Sequence, residues 1–212
     1  MRSYFQVKAT KEQVEYTNKI VEYSIEHHTV HNIWDKSKYR KNNTSFYRFV
    51  GSLGEVVFAD VYGIPRHAKS FGASDGQDYG NDFEIEIDGK KSVVDLKSMH
   101  RKNDTFYGYY VLNIPSVQLH KTKSLTEMYY CISINVKNGE YYVSFLGTMS
   151  KQDILDGKIG ILYKKGTKRI RGNNTYFTFI DDTYEIDFKD FKPPMISDRM
   201  KKMNGFKLIE IK

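Results

Sequence analysis

Cysteine is nearly absent from this chain. The single Cys131 rules out an intrachain disulfide and fits a reducing compartment, where it reads as a small buried strand residue. No apolar run approaches the length needed to span a bilayer. The opening Met-Arg-Ser-Tyr-Phe-Gln-Val-Lys lacks the apolar core of a secretory signal, so the expectation is a cytoplasmic protein with no membrane partner. A phosphate-cradling Gly-Lys-Ser/Thr loop is missing, which argues against an NTPase. So is the nucleophile-elbow pattern of serine hydrolases. His27, His28 and His31 carry no HExxH motif and no neighbouring cysteine, and read as the end of a helix rather than a zinc site. Internal repeats and low-complexity linkers are also lacking.

What is present is positive charge and aromatic surface. Over 212 residues the net charge is +7, and 15% of the residues are Phe, Trp or Tyr. A basic balance favours a polyanionic partner. Between Lys151 and Gly172 there are seven Lys/Arg against two Asp, an excess of five. Lys164, Lys165, Lys168, Arg169 and Arg171 lie between Tyr163 and Tyr176-Phe177, a mixture suited to phosphate contact and base stacking. Arg101 and Lys102 are further candidates for nucleic-acid contact.

The pattern of residues predicts helices first and then a mixed sheet, an α/β or α+β chain forming one domain over 1–212. Thr10-Lys-Glu-Gln13 reads as a capping box that opens a helix to about His27. Asn43 to Tyr62 reads as a second helix, with Phe46, Phe49, Val50, Leu53, Val56 and Val57 on one face. Glu55 lies opposite that stripe. Gly51 and Ala59 flank it and would let the face approach another element. Residues 70–80 are rich in Gly and Asp and read as a loop. A strand is expected over Phe106–Asn113, and a short helix carrying Gln118 from Pro115. A hairpin is expected around Asn138-Gly139, with strands at Tyr129–Val136 and Tyr141–Leu146. Ser150-Lys-Gln-Asp153 starts another short helix. Two or three strands should follow to about Phe188, and Pro193-Pro194 should set off a C-terminal tail over 193–212. The boundaries read as a core over about 43–146 and a basic β-rich region over about 147–192.

The most informative stretch is residues 82–97, DFEIEIDGKKSVVDLK. Asp88-Gly89 favours a two-residue hairpin turn. With that loop Ile87 pairs with Lys90, and Asp82 falls opposite Asp95. Strand alternation puts Asp82, Asp95 and Lys97 on one face. Facing carboxylates repel. A bound divalent cation would remove the conflict, and an adjacent lysine could steer a water, which is the chemistry of a metal-dependent phosphodiesterase. The spacing Asp/Glu-x-Lys occurs six times, ending at Lys90, Lys97, Lys158, Lys189, Lys192 and Lys212. The copies at Asp88 and Asp156 fall in turns. The copy at Asp187 is on a plausible strand, but folding it back around Asp181-Asp182 faces it with Tyr176 or a neighbour. Context selects Asp95 and Lys97.

These residues resemble the PD-(D/E)xK nuclease superfamily of restriction, phage and repair enzymes. The likeness covers roughly residues 45–146. It implies a restriction-endonuclease-like central mixed sheet flanked by helices, here with an extra β-rich C-terminal region. Asp82 would be the first acid, Asp95 the second, Lys97 the lysine, and Glu55 the helix acid that joins the metal shell. Asn81 stands where the family's name-giving proline falls. Gln118 in NIPSVQL resembles a glutamine of some branches, although Thr122 stands where one such branch has a tyrosine. Asp78 in GQDYGND is either a loop cap or an acid supporting a ligand. The resemblance further implies Mg²⁺, with Mn²⁺ as a substitute, and a DNA endonuclease of restriction or phage type yielding 5′-phosphates. A homodimer on duplex DNA would cut both strands. A structure-specific or single-strand DNA or RNA nuclease, and a DNA-binding module without activity, are the alternatives.

Overall fold

The computed structural model describes residues 2–27, 44–66, 82–122, 124–170 and 176–212. Its centre is a six-stranded mixed sheet in the order β11-β1-β6-β5-β3-β2. The strands are β1 (Tyr4–Lys8), β2 (Phe83–Ile87), β3 (Lys90–His100), β5 (Met128–Lys137), β6 (Glu140–Ser150) and β11 (Lys207–Ile209). All neighbours are antiparallel except β3 and β5. A three-stranded antiparallel sheet has the order β4-β10-β7, from β4 (Val111–Pro115), β7 (Ile161–Tyr163) and β10 (Thr183–Asp187). A ribbon of β8 (Lys168–Ile170) and β9 (Tyr176–Thr178) completes the β structure. The α+β class expected from the sequence fits this arrangement.

Local chemistry explains the main elements. Thr10 and Gln13 form the reciprocal cap at the start of α1 (Lys11–His27): Gln13 N donates to Thr10 Oγ1 at 3.2 Å and Thr10 N to Gln13 Oε1 at 2.8 Å. α2 (Thr44–Tyr62) packs on α1 and buries Phe49, Val50, Leu53, Val56, Val57, Phe58, Ala59 and Val61. The two central hairpins turn at Asp88-Gly89 and Asn138-Gly139, all four residues having positive φ as a type I′ turn requires. Ser150 caps α4 (Lys151–Leu155) by accepting from Asp153 N.

Two cores result. One lies between the helices and the six-stranded sheet, filled by Phe5, Val7, Leu53, Val57, Val94, Leu96, Ile132, Ile134, Val143 and Phe145 among others. The second lies on the opposite face, where Tyr129, Cys131, Leu146 and Met149 meet Leu112, Ile114, Ile186 and Phe188. Cys131 is buried, as expected, and burial pushes its thiol pKa up. Among the described residues no helix is long and apolar enough to cross a membrane.

Several expectations are corrected. The chain opens with a strand, not a helix: β1 alternates Phe5 and Val7 inward and is gripped by β6 and β11. The strand expected from Phe106 starts at Val111; Phe106 itself makes an isolated bridge to Ile211. Four strands, not two or three, fill 161–187. β10 pairs with β4 and β7, so Asp187 faces Val111 rather than the Tyr176 region. The end of the chain is no detached tail, because α5 (Asp198–Lys201) contacts α2 and β11 closes the sheet edge. Gly51 has open space around it; the close approach is made by Gly54, where a Cβ would collide with Ser98 Oγ. Residues 70–80, His28, His31, Asp78, Asn81 and Arg171 lie outside the described residues.

Candidate metal and phosphate site

The Asp88-Gly89 turn fixes the register of β2 on β3. Ile87 pairs with Lys90, and the ladder runs back to Phe83 with Val94. Asp82 immediately precedes the first paired residue of β2, and the ladder ends there. Phe83, Val94 and Leu96 go into the helix-side core, so alternation sends Asp95 and Lys97 to the other face. Both acids are buried, Asp82 at 6% and Asp95 at 7% exposure.

Hydrogen bonds and charge hold these groups in place. Asp82 Oδ2 accepts from the Leu96 backbone N–H at 2.6 Å, which ties the first acid to the strand carrying the second. Lys97 Nζ lies 2.7 Å from Asp95 Oδ1. The parallel pairing of β3 with β5 puts Tyr129 beside Asp95 and Cys131 beside Lys97. Lys97 Nζ sits 5.6 Å from the centre of the Tyr129 ring. The Tyr129 hydroxyl is buried with no hydrogen-bond partner among the described residues, and burial, then the Asp95 charge, pushes its pKa up. Asp95 thus has Lys97 as an ion-pair partner, and Asp82 is held by the Leu96 backbone N–H. Buried like charges raise the free energy of a site unless a cation offsets them.

Asp82 and Asp95 offer hard oxygen donors on adjacent strands, a pairing that fits Mg²⁺. That ion is commonly held by one or two carboxylates, with water and substrate phosphate oxygens filling the rest of its shell. Among the described residues no three His, Cys, Asp or Glu side chains are grouped closely enough to hold an ion. Glu55 therefore does not form a three-acid group with the pair. It is half-buried on α2, one residue after Gly54, whose backbone rests on β3 at Ser98 and Leu96. Gln118 falls on α3 (Ser116–Leu119), and its Oε1 is buried without a hydrogen-bond partner among the described residues.

The basic candidates lie elsewhere and much of their charge is paired. Lys164 Nζ is 2.9 Å from Asp182 Oδ2, and the Lys165 backbone N–H donates to the same carboxylate at 2.8 Å. Arg169 Nε is 3.0 Å from Glu185, a buried acid, and its guanidinium covers Tyr163. Lys168 Nζ lies over the Tyr176 ring. Arg101 is half-buried, with its guanidinium 4.4 Å from the Tyr110 ring centre and 4.9 Å from that of Phe188; Lys102 is exposed. Burial lowers the Arg101 pKa.

Sequence reasoning missed Tyr129, Ser98 and Gly54. The signal for Tyr129 would have been the parallel pairing of β3 with β5, which local patterns do not carry. Compared with known protein families, curated proteins and solved structures, the chain finds no match.

Proposed function

We propose that this chain is a Mg²⁺-dependent phosphodiesterase acting on nucleic acid, a DNA endonuclease of the PD-(D/E)xK type with a restriction-endonuclease-like core. The observation that carries this reading is buried Asp82, tied to the Leu96 backbone N–H, next to buried Asp95, whose Oδ1 lies 2.7 Å from Lys97 Nζ. Buried carboxylates are costly to desolvate, and a bound cation is one way to offset that cost.

Asp82 and Asp95 would hold the cation. Bound there, Mg²⁺ would stabilise charge on the phosphate and make water a better nucleophile. The bond from Leu96 N keeps the Asp82 carboxylate aimed. Lys97 orients the attacking water and offsets the negative charge that grows on the phosphate in the transition state. Glu55 is proposed as an additional acid of the site. Gln118, with its buried acceptor, is proposed to orient substrate. Lys102, Lys165 and Lys168 are proposed phosphate contacts, with Arg101, Lys164 and Arg169 beside them. Cutting both strands of duplex DNA with one site per chain calls for a homodimer, and a cytoplasmic location matches the lone buried thiol.

The test is incubation of the pure protein with supercoiled plasmid in Mg²⁺ or in EDTA, beside Asp95→Ala. Cleavage that needs Mg²⁺ and disappears in Asp95→Ala is expected. Cleavage by Asp95→Ala would remove the site assignment. DNA retardation without any cutting would favour the binding-module reading.

A further inference from the structure

Downstream of Lys97 the same face of β3 leads to a group of aromatic rings that the proposed chemistry does not use. Asp95, Lys97, Met99 and Arg101 alternate onto this face, and Arg101 N extends the ladder by donating to Ile134 O at 2.9 Å. Four residues separate Lys97 from Arg101, about 13 Å of extended chain. A nucleic-acid strand leaving the site covers that distance in a few nucleotides.

The turn after Arg101 reads Tyr107-Gly108-Tyr109-Tyr110. Tyr107 and Tyr109 are stacked, with centroids 5.3 Å apart and planes at 21°. Tyr110 meets Tyr109 edge-on at 5.3 Å. With one face on Tyr107, Tyr109 is still 69% exposed, which leaves its outer face open. The turn is also braced. Gly108 N donates to Lys212 O at 2.7 Å, Lys189 N to Gly108 O at 3.1 Å, and Phe188 N to Tyr110 O at 2.8 Å. The aromatic surface is therefore pre-organised, which lowers the ordering cost of binding.

The charge beside it is positive. The Arg101 guanidinium rests on Tyr110 and Phe188, and no carboxylate among the described residues pairs with it. Lys102 is exposed next to it. The nearby acids are engaged, Asp187 with Lys189 at 3.3 Å and Asp104 with Lys207 at 3.4 Å. An open, supported aromatic face beside a cation without an anion matches an unpaired nucleobase with its phosphate, because every base has a π-face and every nucleotide a charge.

Building on the nuclease reading, we infer that the Tyr107–Tyr109 stack with Arg101 is a subsite for an unpaired base of the substrate strand. The substrate is accordingly single-stranded, or locally opened, within a few nucleotides of the cut.

The test measures fluorescence anisotropy of a labelled oligothymidylate of roughly a dozen nucleotides in EDTA, against a duplex of equal length. Wild type, Tyr109→Ala, Tyr109→Trp and Asp95→Ala are compared. Tyr109→Ala should weaken single-strand binding about tenfold, leave duplex binding within about twofold, and be rescued by Tyr109→Trp. Asp95→Ala should bind the single strand at least as tightly as wild type. Unchanged single-strand affinity in Tyr109→Ala, an equal loss on both substrates, or wild-type protein that binds neither would each overturn the subsite. The nuclease reading fails separately. Wild-type protein that cuts nothing in Mg²⁺ while Tyr109 still sets single-strand affinity would remove the nuclease and leave the subsite.

Discussion

The two faces of the six-stranded sheet are built from the same strands and differ in kind. Towards α1 and α2 the strands present Phe5, Val7, Val94, Leu96, Ile132, Ile134, Val143 and Phe145, an apolar layer. The other face carries Gln6, Asp95, Lys97, Tyr129, Ser133, Asn135 and Ser144. Gln6, Ser144 and Ser133 line up across β1, β6 and β5. Gln6 Nε2 donates to Ser144 Oγ at 2.7 Å, but Gln6 Oε1, Ser133 Oγ, Asn135 Oδ1 and the Tyr129 hydroxyl have no hydrogen-bond partner among the described residues. Unsatisfied buried polar groups cost about 1–3 kcal/mol each. The helix-side face is an apolar layer, whereas the other face combines the second apolar core with polar groups whose burial costs part of the stability. Strand alternation makes the division possible, since a one-residue slip would exchange the two sets.

The sharpest way to break the contrast is to change one residue on each face. Asp95→Ala should lower Mg²⁺-dependent cleavage on the order of a thousandfold or more. Its melting temperature in EDTA should change little, because relief of carboxylate crowding and loss of the Asp95–Lys97 ion pair oppose each other. Leu53→Ala, in the helix-side core, should do the reverse. It should lose about 2–5 kcal/mol in urea unfolding while activity per folded molecule is kept. If Asp95→Ala instead unfolds the protein, the site face is structural and the contrast fails.

Turn chemistry made much of this legible in the sequence. Asp88-Gly89 determined the β2–β3 register, from Ile87 with Lys90 back to Phe83 with Val94. Thr10 and Gln13 marked the start of α1 within a residue. What escaped depends on distant contacts. β1 is five residues long, and its partners lie far along the chain in β6 and β11. Gly51 and Gly54 are both small residues on α2, and only the packing of the helix on Ser98 distinguishes them. The basic run looked like free charge because Asp182 and Glu185, which neutralise part of it, come more than a dozen residues later and meet it only once β7 and β10 pair.

The helix-side face contains one pH-sensitive pair. The Tyr62 hydroxyl donates to that of Tyr130 at 3.0 Å, and burial pushes the Tyr62 pKa from 10.0 up to about 12, with Tyr130 also raised. Both phenols are neutral in the folded protein, while the unfolded chain ionises them from about pH 10. The Tyr62 contribution is therefore complete below pH 10 and disappears as pH rises through about 12, and Tyr130 acts in the same direction. Urea midpoints should fall across that window, and Tyr62→Phe should flatten the fall. An equally steep fall in Tyr62→Phe would move the cause elsewhere.

The smallest expected change is the most specific to the site face. Tyr129→Phe removes a hydroxyl that is buried, lacks a hydrogen-bond partner among the described residues and belongs to the residue paired with Asp95, and leaves the ring packing intact. Removing an unsatisfied polar atom should stabilise the protein by about 1 kcal/mol, a rise of roughly 2–4 °C in melting temperature for a chain of this size. If the hydroxyl serves only the fold, cleavage should be unaffected. If it helps hold Asp95 once Lys97 turns to the phosphate, kcat should fall while KM stays level. A variant that melts higher and cuts more slowly would show that this face trades stability for chemistry. One that melts lower would mean the hydroxyl has a partner in solution, and the contrast between the two faces would shrink by that residue.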